Sequence, residues 1–368
     1  MRAAVLHGRR DLRIETRPTP RAAAGEVVLA VGTVGLCGTD AAEYLHGPRM
    51  FPVEGRHPVT GHEGPMIIGH EFSGRVVAVG DAVDDSWLGR DVASCGAVFC
   101  GRCRQCLLGR TNLCSSYSGV GLHRDGALAE YVATPLQNCA PVGALGLSSD
   151  AAALGQPMSI AVHARGRGRL GVGERAVVLG VGGIGAFLVY AIAATGYDVV
   201  AVDTSPSRRD LARRLGSRDA LDARCSADDL HAALGGPPEV VYEASGRPEA
   251  LGFALSILPA GGRLVAVGIQ EAPVALDVRR LTLAELELIG TNAMVRGRDL
   301  DEALALLAGR AQGWDDVAPE VIPLEDVAET LTLIGTGRSP AVKVLVDPRT
   351  ADRRDADMGL GRHGGAGR

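Results

Sequence analysis

A chain of 368 residues with a formal net charge of -5 and 4% aromatic residues suggests about two domains and can bury a substantial core. It carries neither the basic footprint nor the base-stacking surface of a nucleic-acid binder. No apolar run approaches the roughly 20 residues that span a bilayer, so a soluble protein acting on a small molecule is expected. Up to about residue 155 the chain reads as short β segments between glycine-rich turns, with 27–31, 71–79 and 129–133 as examples and no long helical period. Residues 151–154 and 159–165 look helical. Apolar strand runs at 176–181, 198–203, 240–244 and 263–269 then alternate with helical patterns at 183–195 and 206–215. That alternation predicts an α/β fold with a doubly wound parallel sheet made of βαβ units. A helix over 300–307 and short strands follow, and the Arg-, Asp- and Gly-rich tail after 347 is expected to be disordered. The chain shows no internal repeat.

Eight cysteines are present, and four of them, Cys100, Cys103, Cys106 and Cys114, fall within one short loop. Thiolates at this spacing can close a tetrahedral, fully sulfur-ligated zinc site, which is structural because it leaves no open position. Disulfides would be favoured in a short secreted chain. Here no apolar signal segment follows a basic start, so a reducing cytoplasm, and metal in the loop, are expected.

Gly180-Val181-Gly182-Gly183-Ile184-Gly185 is a G-x-G-x-x-G string between the strand pattern at 176–179 and an apolar-periodic helix. In that context the glycines permit a tight turn and close backbone approach to a dinucleotide pyrophosphate at a helix N-terminus. Asp203 ends the next strand 18 residues beyond Gly185, where a carboxylate can accept the ribose hydroxyls and repel a 2'-phosphate, favouring NAD over NADP. Arg208 and Arg209 clasping such a phosphate is the counter-reading. Lys343, the single lysine of the chain, sits in the apolar run 341–346 and reads as part of a terminal strand. The glycine loop lacks the Gly-Lys-Ser/Thr ending of a nucleoside-triphosphatase loop.

The strings Gly35-Leu36-Cys37-Gly38-Thr39-Asp40, Gly69-His70-Glu71-Phe72-Ser73-Gly74 and Tyr242-Glu243-Ala244-Ser245-Gly246, with the cysteine and glycine loops, resemble the zinc-dependent medium-chain dehydrogenases, in particular the 2,3-butanediol, sorbitol and threonine dehydrogenase branch. The resemblance covers about residues 1–347. It implies a GroES-like catalytic domain over 1–155, a Rossmann domain over 156–295, a return to the catalytic domain over 296–347, and a homodimer or homotetramer. It further implies a second, catalytic zinc on Cys37 and His70 with Glu71 behind them, and Thr39 as the hydroxyl that relays the substrate proton. Open-site zinc would promote loss of the alcohol proton near neutral pH.

Two positions depart from the branch. Gln156-Pro157 stands where a glutamate-proline pair usually supplies the third protein ligand, and Ala42 stands where relatives often carry a relay histidine. A working zinc with Gln156 as a weak ligand, a site into which Glu71 swings, and a site without zinc all stay open. Tyr44, His46, His57 and His62 lie in a stretch that in the butanediol branch borders the substrate cleft; one of these histidines could replace the relay, although surface histidines are commoner. The leading expectation is NAD-dependent oxidation of a vicinal diol, acyloin, polyol or amino alcohol. A zinc-poor reductase of C=N or C=C bonds and a noncatalytic cofactor-binding sensor or scaffold are the competing readings.

Overall fold

Residues 1–270 and 272–350 are described by the structure, a computed structural model. The β-rich part is organised by the strand Glu26–Gly35, whose Val and Leu residues are buried along nearly its whole length. It pairs antiparallel with Glu71–Val79 and with Tyr131–Pro135. The sheet continues from Cys139–Pro141 through Asp91–Ser94 to Glu71–Val79 and Glu26–Gly35, and beyond that to the late strands Leu345–Val346 and Val321–Ile322. The chain therefore returns to its first sheet at its end. Register places Gly35 opposite Glu71, so strand pairing itself brings the segments carrying Cys37 and His70 side by side.

The second sheet has six parallel strands, in the order Asp219–Asp222, Asp198–Asp203, Arg175–Leu179, Val240–Glu243, Arg263–Ala266 and Glu287–Gly290. Its inner strands are Val-rich and buried on both faces, as a sheet covered by helices requires. Helices Gly185–Ala193, Pro206–Arg214 and Asp299–Ala308 match the expected segments within two residues. The first starts later than expected because Gly183 and Ile184 are still shaping the turn.

Other expectations need correction. Helix Gly38–His46 was not anticipated; it has only nine residues and buries one face through Ala41, Tyr44 and Leu45. The two short helical patterns at 151–165 resolve into Ser149–Ala153 and a longer helix, Gly155–Gly168. Pro157 in its first turn is tolerated because N–H groups there have no intrahelical acceptor. The strand expected at 341–346 shrinks to Leu345–Val346, so Lys343 lies in the approach to it. The tail expected to be disordered falls outside the described residues from 351 onward. Its first residues, 348–350, are held: Arg349 pairs with Asp347 and donates to the carbonyl of Gly32. No described helix is long and apolar enough to cross a membrane.

Candidate active site

The four loop cysteines converge. Their sulfurs lie within 4.8 Å of one another, with Cys114 to Cys100 at 3.5 Å and Cys103 to Cys114 at 3.9 Å. Sulfurs around a tetrahedral zinc with bonds of about 2.3 Å stand about 3.8 Å apart, so the cluster has zinc spacing and none of these pairs is a disulfide. Backbone N–H groups of Cys100 and Ser116 point at the Cys114 sulfur, and that of Cys103 at the Cys100 sulfur. Such donors favour thiolates. N–H groups of Cys106 and Ser115 pull the Cys103 thiol down to about 5.

A second cluster joins Cys37, His70 and Glu71, whose ligand atoms also lie within 4.8 Å of one another. Cys37 caps helix Gly38–His46, and its N–H donates to the Asp40 carboxylate at 3.0 Å. The other Asp40 oxygen stands 3.3 Å from Nδ1 of His70; neither of these buried atoms makes a hydrogen bond among the described residues. Burial disfavours a charged His70, yet the adjacent Asp40 and Cys37 hold its pKa well above the ordinary value. Thr39 lies half-buried in the first turn of the same helix. Glu71 is fully buried, and both its oxygens are 2.6 Å from Nζ of Lys343, which also reaches the carbonyl of Leu36 at 3.4 Å. Gly35 makes room for this carboxylate, since a Cβ there would come within 2.5 Å of Oε2. Gln156 is buried in the first turn of helix Gly155–Gly168, which packs on strand Glu71–Val79. Its Oε1 has no hydrogen-bond partner among the described residues.

At the dinucleotide loop, Gly180 has φ +93° and a Cβ there would strike Ser245, while a Cβ on Gly185 would sit 1.8 Å from the carbonyl of Gly180. Both must be glycine. Around Gly182 nothing lies within 4 Å of the missing Cβ, which leaves the cradle open to a pyrophosphate; Gly183 and Ile184 complete the turn into helix Gly185–Ala193. Asp203 accepts the Val181 N–H at 2.7 Å and the Ser205 N–H at 2.8 Å. A cleft of 430 Å³ opens beside it, lined by Gly180, Gly182, Asp203, Arg208, Ser245 and Arg247 among others. It lies at the carboxyl ends of the strands, on either side of Arg175–Leu179, where the winding of the sheet reverses. Arg209 is not available to a phosphate, because it donates to the carbonyls of Asp203 and Thr204 and to the Asp222 carboxylate.

Residues 23–144 match the alcohol dehydrogenase GroES-like domain family, and residues 183–309 the zinc-binding dehydrogenase family. L-Threonine 3-dehydrogenase of Streptomyces coelicolor is 34% identical over 309 residues, 83% of this chain and 86% of that one. (R,R)-Butanediol dehydrogenase of Bacillus subtilis is 31% identical over 355 residues, 95% and 100% of the two chains. The crystal structure of 2R,3R-butanediol dehydrogenase from Bacillus subtilis superposes with a TM-score of 0.86 at 29% identity, covering 95% of this chain and 99% of the other. The chain belongs to the zinc-dependent medium-chain alcohol dehydrogenase family.

This dehydrogenase thus combines a GroES-like unit with a Rossmann-like unit, and it is an oxidoreductase of alcohols with NAD and zinc as cofactors. Both zinc clusters fit the metal by the chemistry of their donors. The four-cysteine set is closed, whereas the Cys37, His70 and Glu71 set mixes a half-buried thiol with a buried imidazole and a buried carboxylate. Two charged residues of the dehydrogenase's site escaped the sequence reading. Asp40 was visible only as the end of the Cys-Gly-Thr-Asp string, and Lys343 only through being the chain's single lysine. Of the loop histidines, His46 is exposed, and His62 approaches the carbonyl of Gly64. His57 stacks on His123 at 4.4 Å and accepts the Thr60 N–H. Ala42, at the relay position, is exposed.

Proposed function

We propose that the enzyme oxidises a secondary alcohol whose neighbouring carbon bears a second polar group: a vicinal diol, acyloin, polyol or amino alcohol. The observation that carries this reading is the convergence of Cys37, His70 and Glu71, whose ligand atoms lie within 4.8 Å of one another, together with relatives named for threonine and butanediol. Each of those two compounds places a secondary hydroxyl next to a carbon bearing nitrogen or oxygen.

In this reading Cys37 and His70, with an oxygen from Glu71 or Gln156, hold the catalytic zinc, and Cys100, Cys103, Cys106 and Cys114 hold the structural one. The chemistry the two bound cofactors supply is Lewis-acid polarisation of the alcohol oxygen and acceptance of the carbinol hydride. The chain does the rest. Asp40 fixes the ring of His70 and the backbone of Cys37, as a partner behind a metal ligand does. Thr39 takes the hydroxyl proton and passes it outward, and with Ala42 at the relay position it goes to water. Asp203 receives the ribose hydroxyls and selects NAD over NADP, with Arg208 lining the same cleft. The cytoplasm suits eight free cysteines.

Elemental analysis of protein purified without chelators tests the metal reading: about two zincs per chain are expected. Cys37→Ser should bring this to about one and abolish NAD reduction with every member of a diol, acyloin and amino-alcohol panel. Undiminished turnover of C37S would reject zinc-assisted oxidation.

A further inference from the structure

The four-cysteine loop reaches beyond its own cluster. Between Cys106 and Cys114 it turns through Thr111–Leu113, and this turn buries Asn112. The Asn112 side chain makes its bonds outside the loop. Its Nδ2 donates to the backbone carbonyl of Asn292 at 2.8 Å, and Nδ2 of Asn292 returns a bond to the Asn112 carbonyl at 3.3 Å. Nε2 of the buried His163 lies 3.4 Å from the same Asn112 nitrogen. Nδ1 of that ring donates to the Asp299 carboxylate at 2.8 Å, which leaves Nε2 to accept the second Asn112 amide hydrogen. Both donor positions of the amide are thereby used, and its orientation is fixed.

Asn292 belongs to the turn that leaves the carboxyl end of strand Glu287–Gly290. Arg167 holds the Gly290 carbonyl at 3.1 Å on one side of it, and Asp299 accepts the Val295 N–H at 2.7 Å on the other. The Asn112 bond is the hold in the middle. Within this span Ala293 has φ +48°, a left-handed conformation that a residue with a side chain keeps only where its surroundings enforce it. The Thr291 hydroxyl is buried with no hydrogen-bond partner among the described residues, so this turn carries a polar group still open to a ligand. Its place in the sheet says which ligand. A dinucleotide lies across the carboxyl ends of the strands. Asp203 marks the adenosine side and the glycine loop after Arg175–Leu179 the pyrophosphate, while Val240–Glu243, Arg263–Ala266 and Glu287–Gly290 follow in the opposite direction. The turn at 291–293 therefore stands on the nicotinamide side.

We propose that Asn112 is a positioning residue through which the four-cysteine loop holds the 291–293 turn in shape for the nicotinamide half of NAD. The inference rests on NAD binding along this sheet. Its consequence is that a closed metal site, remote from the chemistry, still sets the affinity for the cofactor.

The test compares NAD with ADP-ribose, which lacks the nicotinamide, by calorimetry on full-length, zinc-loaded protein. With one buried hydrogen bond removed, Asn112→Ala should weaken NAD by about tenfold or more and ADP-ribose by less than about twofold, at the zinc content of the wild type. Asn112→Asp keeps the size of the side chain but turns an acceptor toward the Asn292 carbonyl. It should give the same split, and it carries the comparison if N112A does not fold. A merely structural Asn112 would move both ligands together. Equal losses for NAD and ADP-ribose, an unchanged NAD affinity, or zinc lost from both variants would overturn the proposal. A wild type that binds neither ligand instead overturns the reading of the dinucleotide cleft, so the two failures are distinguishable.

Discussion

Asp203 carries two duties, and a single substitution removes both with separate readouts. Its carboxylate satisfies the N–H groups of Val181 and Ser205, one on the dinucleotide loop and one at the start of helix Pro206–Arg214, and it faces the cleft where the ribose hydroxyls would bind. Removing it leaves the buried Val181 N–H without its acceptor, which costs about 1–3 kcal/mol. Asp203→Ala is therefore expected to lower the melting temperature of the cofactor-free protein. It should also weaken NAD about tenfold or more while NADP, relieved of a repelling charge, loses less or gains. Titration of both dinucleotides against the variant checks this; an unchanged ratio of the two affinities would remove Asp203 as the selecting residue. Lys343 also joins two features, since its ammonium pairs with Glu71 while its side chain lies near Gly183 of the dinucleotide loop, 3.7 Å from where a Cβ there would sit.

Among the elements, the loops around His57 and His123 form a clasp whose strength depends on pH. The two rings stack at 4.4 Å, Nδ1 of His57 accepts the Thr60 N–H, and Nδ1 of His123 accepts the Gly119 N–H at 2.9 Å. Burial, and then the neighbouring His57, push His123 down to about 4 from an ordinary 6.5. A histidine depressed on folding binds fewer protons in the native state. Its contribution is therefore complete above about 6.5 and is lost as pH falls from there toward about 4. Thermal melting between pH 7 and pH 4 should show a shallower acid loss for His123→Asn, whose side-chain oxygen can still accept the Gly119 N–H; parallel curves would refute the assignment. This clasp was invisible in the sequence because nothing local links position 57 to 123. The same limit explains the other omissions. Strands Glu71–Val79 and Asp198–Asp203 and helix Pro206–Arg214 were legible because composition and period agree with their burial. Edge strands Asp219–Asp222 and Glu287–Gly290 were not, being four residues long and only partly buried. At the site, Cys37, His70 and the glycine loop were marked by strings. The partner of Glu71, by contrast, lies 272 residues away in the chain, inside an apolar run that reads as plain strand.

At the scale of the molecule, the two sheets share a core rather than merely touching. Helix Gly155–Gly168 contributes Met158, Ala161 and Val162 to one apolar cluster that also contains Ala93 and Ala140 of the first sheet and Val178 and Val240 of the second. The helix that presents Gln156 is thus clamped between them, and burying such side chains stabilises by about 1.5–3 kcal/mol each for the larger ones. The parallel sheet, however, ends on strand Glu287–Gly290, whose outer edge pairs with no described strand. Leu288 on that strand is 41% exposed and Leu283 just before it 69% exposed. An open edge with apolar side chains is a template for another strand, and a second copy of this chain offers the same edge to an antiparallel match about a twofold axis. We propose that the enzyme is a homodimer joined along this edge. Leu288→Lys should then halve the mass seen by light scattering while leaving about two zincs per chain, because neither zinc cluster lies on the edge. A mass unchanged by L288K, or a monomeric wild type, would place the exposed edge outside any subunit contact.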